Sequence, residues 1–243
     1  MIKLIKRLLL FIIVVVIAIA GLFVYKGYNL YEDAINEFSI AEKIEKIKKE
    51  NENYIEYENL PKDYINAFVA VEDRRFFEHN GIDVISIARA IIKDIQTRKL
   101  VEGGSTITQQ LAKNTYFTQK KELTRKVAEV FMAFEYEKNC TKEEILELYV
   151  NTIYFGDGYY CVYDAAQGYF NKIPEEMNLY ESTLLAGIPN APSVYAPTKN
   201  PELAKQRQAQ VLNKMVKYDY LKQEDADKVL NIDFKEIEND SKK

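Results

Sequence analysis

Between Leu8 and Tyr25 the chain reads LLLFIIVVVIAIAGLFVY, eighteen residues without a charge, and this run limits what the rest can become. At roughly 1.5 Å per residue a helix of this length reaches about 27 Å, close to the hydrocarbon thickness of a bilayer. Ala18-Ile19-Ala20 looks like a small-residue cleavage site, but the apolar run continues through Leu22, Phe23 and Val24, so a retained anchor is the better reading. Lys3, Lys6 and Arg7 precede the span and Glu32 and Asp33 follow it. That bias predicts a cytoplasmic N-terminus at 1–7, a transmembrane helix at 8–25 and residues 30–243 on the far side.

The remainder of the 243 residues is enough for one good core with a small second lobe, not for two large domains. Thirty-three basic residues against 37 acidic ones, without a basic block, exclude nucleic acid as a partner. Cys140 and Cys161 are too far apart for a zinc knuckle and have no second pair or nearby histidines, so no structural metal is expected.

Residues 26–57 are charged and weakly patterned and read as a stalk or linker. Helical signals are dense from Leu60-Pro61 onward. Val84, Ile87, Ala88, Ile91, Ile92 and Ile95 form one apolar stripe, and Leu123, Val127, Val130, Phe131 and Phe134 form a second. Thr141 with Glu144, and Asn178 with Glu181, are capping boxes, while Asn200-Pro201 reads as an N-cap followed by proline in the first turn. Strand alternation is scarcely visible. The expectation is a mainly α domain over 58–217, with loops at Glu102-Gly103-Gly104 and Gly156-Asp157-Gly158, followed by a C-terminal helical tail over 218–243.

Four patches could carry chemistry. In AVEDRRFFEHNGID, Ala70 to Asp83, Glu72 and Asp73 stand against Arg74 and Arg75, then Phe76, Phe77, the single histidine His79 and Gly81. A helix end stopped by Gly81 accounts for this, and so does a carboxylate poised as a base. In EGGSTITQQLAKN, Gly103 and Gly104 suggest a phosphate loop, but the spacing is not that of a Walker loop. What survives is Ser105 or Thr106 capping a helix whose amide end attracts anions, with Gln109, Gln110, Lys113 and Asn114 as polar hands. In RKVAEVFMAFEYEK, Glu129 shares a polar face with Arg125 and Lys126, opposite the second stripe; taken alone, surface pairing is the better account of it. The fourth patch, EILELYVNTIYFGDGYY, passes from an amphipathic helix into an aromatic-rich turn.

In this order and spacing the patches resemble the motifs of the peptidoglycan glycosyltransferases of glycosyltransferase family 51, which polymerise lipid II into glycan strands. EDRRFFEHNGID, GGSTITQQLAKN, RKVAEVFMAFEYEK and ILELYVNTIYFG match the first four, and YESTLLAGIPNAPSVYAP a fifth. The resemblance covers about 58–215. Tyr159, Tyr160 and Cys161 stand where the family usually has Ala-Tyr-Gly, and Ala196 where it usually has Asn.

The resemblance implies a lysozyme-like helical domain with a small membrane-proximal jaw lobe, preceded by one transmembrane helix in a bacterial cell membrane. It places the proposed general base on Glu72 and the second glutamate on Glu129. Ser105, Thr106, Gln110, Lys113, Asn114, Arg125 and Lys126 would contact substrate or pyrophosphate, with Asp73, Phe76, His79, Gly81, Gly103 and Gly104 supporting the motifs. The implied partners are lipid II, a lipid-linked glycan chain, the membrane and other cell-wall synthesis proteins; moenomycin would inhibit. No cofactor is required, though a divalent cation, Mg2+ or Mn2+, at the pyrophosphate is compatible with the resemblance. No S-x-x-K or K-T-G box occurs, so transfer without transpeptidation is expected. A lytic transglycosylase or lysozyme-like hydrolase, and an inactive glycan-binding scaffold, are the alternatives.

Overall fold

The computed structural model describes residues 2–97, 103–117 and 122–232. Within them lie twelve α-helices and no strand: α1 (Ile2–Glu37), α2 (Ile40–Glu50), α3 (Lys62–Glu72), α4 (Val84–Thr97), α5 (Ile107–Tyr116), α6 (Leu123–Asn139), α7 (Lys142–Val150), α8 (Val162–Phe170), α9 (Leu179–Gly187), α10 (Pro192–Tyr195), α11 (Pro201–Lys217) and α12 (Gln223–Leu230). The expected mainly α fold is therefore found.

α9 is buried from Tyr180 to Gly187, as its apolar and small residues on every face require. Against it pack α3 and α11, which also pack on each other. Tyr64, Phe68, Leu184, Leu185, Leu212 and Met215 close this half of the core. The other half is α5 with α6 and α7. Phe68 and Tyr149 join the halves edge-to-face, with ring centroids 5.4 Å apart, a favoured aromatic geometry. The capping boxes at Thr141 and Asn178 are both formed. Asn200 precedes α11 with Pro201 in the first turn, but its side chain makes no capping bond.

The apolar N-terminal run lies in one helix that is long and apolar enough to cross a membrane, and its large side chains from Ile2 to Tyr25 are exposed except for the half-buried Phe23. α1 does not stop at Tyr25. Nothing in the following residues breaks a helix, and the chain turns only at Ser39, which caps α2 reciprocally with Glu42. The extension rests on α6: Tyr28 and Tyr31 pack on Phe131 at 5.2 and 5.8 Å between centroids, and Gly27 is buried.

The expected stalk thus departs from expectation, because residues 26–57 are largely built into the domain. Ile40 and Ile55 belong to the core. The Asn151 side chain clasps the Ile55 backbone from both sides, accepting its N–H at 3.0 Å and donating to its carbonyl at 2.7 Å. One turn earlier, Glu147 accepts the Tyr54 hydroxyl at 2.6 Å and the Tyr57 N–H at 3.0 Å. Around residues 54–57 the chain is held by side chains of a distant helix and needs no periodicity of its own.

Both apolar stripes also face elsewhere than the main core. On α4 only Ala90 is buried, and Val84, Ile91, Ile92 and Ile95 are exposed. On α6 the buried face is Ala128, Glu129, Met132, Ala133 and Tyr136, whereas Val127 and Phe131 meet α1. Of the tail, α12 packs on α11; residues 233–243 lie outside the described residues.

Candidate active site

α3 ends at Glu72, well before Gly81, and Asp73 is its C-cap. Asp73 Oδ2 lies 2.9 Å from His79 Nε2 in a hydrogen bond and accepts the N–H of Ile107 at 3.0 Å. It therefore satisfies one of the amides left open at the start of α5. Thr106 caps the same helix end in a reciprocal box with Gln109, and its hydroxyl donates to the Gly81 carbonyl at 2.6 Å. Thr106 and Gln109 are both buried. The two residues expected as a substrate contact and a polar hand are spent on holding α5.

Gly81 needs its glycine. Its φ is +79°, a conformation that side-chain-bearing residues rarely adopt, and an added Cβ would lie 3.2 Å from the Ala133 carbonyl carbon. Its N–H reaches Glu137 Oε1 at 3.0 Å, which also accepts Thr108 at 2.6 Å and Lys142 at 2.7 Å. Phe76 is fully buried, with Lys142 4.5 Å from its ring centre, while Phe77 is exposed. Arg75 grips Asp83 through Nε at 3.0 Å and Nη2 at 2.5 Å. Burial opposes the Asp83 charge, but the bonds from Arg75 and Ser86 outweigh it and hold the carboxyl well below its ordinary value. Gly104 lies against Ile87, where a Cβ would come within 3.3 Å of its Cα; Gly103 has open space. Glu102 lies outside the described residues.

The Glu72 carboxylate sits between two donors. Gln110 Nε2 reaches Oε2 at 3.1 Å, and Gln110 Oε1 is in turn occupied by the Tyr149 hydroxyl at 2.7 Å. On the other side Arg207 Nη2 lies 3.3 Å from Oε1. Tyr149 and Arg207 were not anticipated. Arg207 is set in a helix of ordinary polar composition, and only the packing of α11 on α3 reveals it.

A second acid stands apart from the first. Glu129 is buried, with Arg125 Nε 3.2 Å from Oε1 and Lys126 Nζ 2.8 Å from Oε2. Lys126 also donates to Ser105 at 2.6 Å, so the loop before α5 is tied to α6. The polar face expected around Glu129 is an ion cluster in which Glu129 is buried and Arg125 largely so, while Lys126 stays half-exposed. Its charges must be matched, because an unpaired one would be costly there. Lys113 has no bonded partner among the described residues. Burial pushes its ammonium below the ordinary lysine value; Glu129 and Glu72 oppose that push, while Arg125 and Lys126 reinforce it.

Gln110, Lys113 and Asn114 share one face of α5 and line a cleft of about 430 Å³ with Tyr149, Ile153, Tyr154, Tyr160, Pro189, Asn190 and Pro192. Tyr154 and Tyr160 pack against each other with tilted rings, 4.7 Å between centroids. Tyr159, one of the atypical residues, packs where Gly168 leaves room, since a Cβ there would come within 2.1 Å of its ring. The loop before it turns through positive φ at Gly156, Asp157 and Gly158, and Asp157 is anchored by Lys199 at 2.6 Å.

Among the described residues no group of three or more His, Cys, Asp or Glu side chains could hold a metal ion. Glu129 already has a cation at each oxygen, so the donor set around the cluster does not build a cage for Mg2+ or Mn2+. Burial pushes the Cys161 thiol up to about 11 and the Cys140 thiol up to about 12, which leaves neither poised as a nucleophile.

Residues 39–216 match the family model described as Transglycosylase. The chain is 45% identical over 178 residues to penicillin-binding protein 1A of Aquifex aeolicus, covering 73% of this chain and 24% of that one. It is 41% identical over 186 residues to penicillin-binding protein 1F of Bacillus subtilis, covering 76% and 26%. It therefore spans about a quarter of the length of these curated relatives. A crystal structure of penicillin-binding protein 1A from Haemophilus influenzae aligns at a TM-score of 0.45 and 25% identity, covering 73% of this chain and 17% of that chain. The family match over most of the chain places this protein in the transglycosylase family, the peptidoglycan glycosyltransferases of family 51.

Proposed function

We propose that the chain polymerises lipid II into β-1,4-linked glycan strands with release of undecaprenyl pyrophosphate, by inverting transfer at the outer face of a bacterial membrane. The observation that carries this reading is the division of the site into two parts: a carboxylate held between donors at Glu72, and a separate cation cluster around Glu129.

The acceptor hydroxyl is a poor nucleophile. Glu72 takes its proton as the oxygen attacks the anomeric carbon of the growing chain, the role a base carboxylate plays towards water in inverting glycosidases. The bond to pyrophosphate breaks with its electron pair on the departing oxygen. Lys113, Arg125 and Lys126 supply the positive charge that this leaving group needs, while Glu129 holds Arg125 and Lys126 in place. Asn114 and Gln110 present donors on the same helix face. A hydrolase acting on finished glycan would have no use for a cation cluster around a buried acid, so the cluster favours the synthase over the lytic alternative. α1 confines the enzyme to the surface that carries its lipid-linked substrate, with its charged flank at Lys3, Lys6 and Arg7 on the cytoplasmic side.

The test is purified full-length protein with labelled lipid II in detergent, with products resolved on a gel. Polymer should form. Glu72→Gln should lose about 10²–10⁴-fold in turnover, the usual worth of a general base, while still binding moenomycin. Lys113→Ala should lose both turnover and moenomycin affinity. Lipid II left unconsumed by the wild-type chain would overturn the reading.

A further inference from the structure

We propose that Arg207 is a positioning residue for glycosyl transfer, fixing the aim of the Glu72 carboxylate and acting on turnover only through it. This inference rests on the functional reading above and concerns a residue outside the motif that carries the base.

Arg207 reaches Glu72 across 135 positions of sequence, and it arrives already fixed. Its Nε donates to the Gly187 carbonyl at 3.2 Å, its Nη1 donates to Gln210 Oε1 at 3.0 Å, and its guanidinium carbon lies 5.8 Å from the centre of the Tyr195 ring. Gly187 leaves space for the aliphatic stem, since a Cβ there would come within 3.0 Å of Arg207 Cγ. The side chain is only 10% exposed. Three attachments besides Glu72 restrict the guanidinium plane, so the Nη2 proton aimed at Glu72 follows from the packing of α11 on α3 and α9.

The other oxygen of Glu72 is fixed in the same manner. The Tyr149 hydroxyl donates to Gln110 Oε1, which obliges Gln110 to present its NH2 group to Glu72. Each carboxylate oxygen therefore receives one donor, and each keeps a lone pair. A base held like this has its direction set while it can still take a proton. During transfer the acceptor oxygen bonds to the anomeric carbon, the bond to pyrophosphate breaks with its electrons on the leaving oxygen, and the hydroxyl proton passes to Glu72. Arg207 makes and breaks no bond. A guanidinium stays charged at any working pH, so Arg207 does not compete for the proton.

A residue that acts through Glu72 differs from one that merely holds helices together, because its loss matters only while Glu72 works as a base. Turnover of lipid II would be measured for full-length wild type, Arg207→Gln, Arg207→Lys, Glu72→Gln and the Glu72→Gln/Arg207→Gln double variant, with folding checked by circular dichroism. Arg207→Gln should lower kcat about 10–100-fold with KM changed less than about twofold, and Arg207→Lys should recover part of that loss. In the Glu72→Gln background the same replacement should cost less than about twofold, a non-additivity expected of coupled residues. Additive losses, or a change confined to KM, would overturn the inference. If Arg207→Gln does not fold, Arg207→Lys, which keeps the stem packing, carries the same comparison. A wild-type chain that leaves lipid II untouched overturns the functional reading and this inference with it, whereas an active wild type with additive losses overturns only the inference.

Discussion

Asp73 Oδ2 accepts the Ile107 N–H at 3.0 Å, so the end of the helix that carries Glu72 is bonded to the start of the helix that carries Gln110 and Lys113. Through one carboxylate oxygen, the helix carrying Glu72 and the cleft wall become parts of a single object. Asp73→Asn keeps the shape but must give up charge at a buried position that serves both His79 and Ile107. Losing a hydrogen bond to a charged group costs about 1.5–3 kcal/mol, and urea unfolding should show a loss in that range. Turnover should fall as well, although Glu72 is untouched. Unchanged stability would mean that α5 is held by the Thr106 box alone.

Asp83 gives a pH-dependent test. Its carboxyl is held well below its ordinary value by Arg75 and Ser86 against the cost of burial. Because the folded-state value is depressed, the stabilisation is complete above the ordinary carboxylate range and is lost as pH falls towards the folded-state value. Asp83→Asn should be less stable than wild type by about 1.5–3 kcal/mol at pH 7, the worth of bonds to a charged group. The gap should narrow as pH drops below about 4. Thermal melts of both proteins across pH would show a constant gap if Asp83 were not the titrating group.

Lys113 titrates in the opposite sense to a carboxylate. Burial lowers its value from the ordinary 10.5, so the charged form is present at low pH and disappears as pH rises through the lowered value. Affinity for an anionic donor analogue such as fluorescent moenomycin should therefore weaken on the alkaline side, earlier than for an exposed lysine. Lys113→Arg, whose charge persists, should remove that alkaline limb. Identical pH profiles for the two proteins would place the leaving-group charge elsewhere.

Gly27 tests the support that α1 gives to α6. A Cβ at this position would lie 2.5 Å from Val127 Cβ and 2.9 Å from the Thr124 carbonyl oxygen, and the second contact is backbone that cannot step aside. Gly27→Ala should cost about 1–3 kcal/mol, as overpacking does, with faster proteolysis at the α1–α2 junction and reduced turnover. Adding Val127→Ala should restore part of the loss. Full activity and stability in Gly27→Ala would show that α6 keeps its place without α1.

What the sequence determined by itself is what local chemistry can write. The uncharged run from Leu8 fixed a membrane-length helix, the capping boxes at Thr141 and Asn178 fixed two helix starts, and glycines allowed the turn at Gly156-Asp157-Gly158. The motif residues Glu72, Gln110, Lys113, Arg125, Lys126 and Glu129 were named as candidates, and the fold brings them to two neighbouring clusters. Tertiary structure alone decided which faces are covered and which distant groups meet. A periodic stripe shows that a helix has an apolar side but not what lies against it, so the stripe on α4 is exposed, the stripe on α6 meets α1, and Glu129 is inside. Residues 26–50 are largely helical and look like a spacer because their polar sequence hides the faces that pack on the domain, while Tyr54, Ile55 and Tyr57 are bonded by the side chains of Glu147 and Asn151, about ninety residues away. Arg207 was silent for the same reason: an arginine in a polar helix has no distinctive neighbours in sequence, and only the packing of α11 on α3 and α9 points its guanidinium at Glu72.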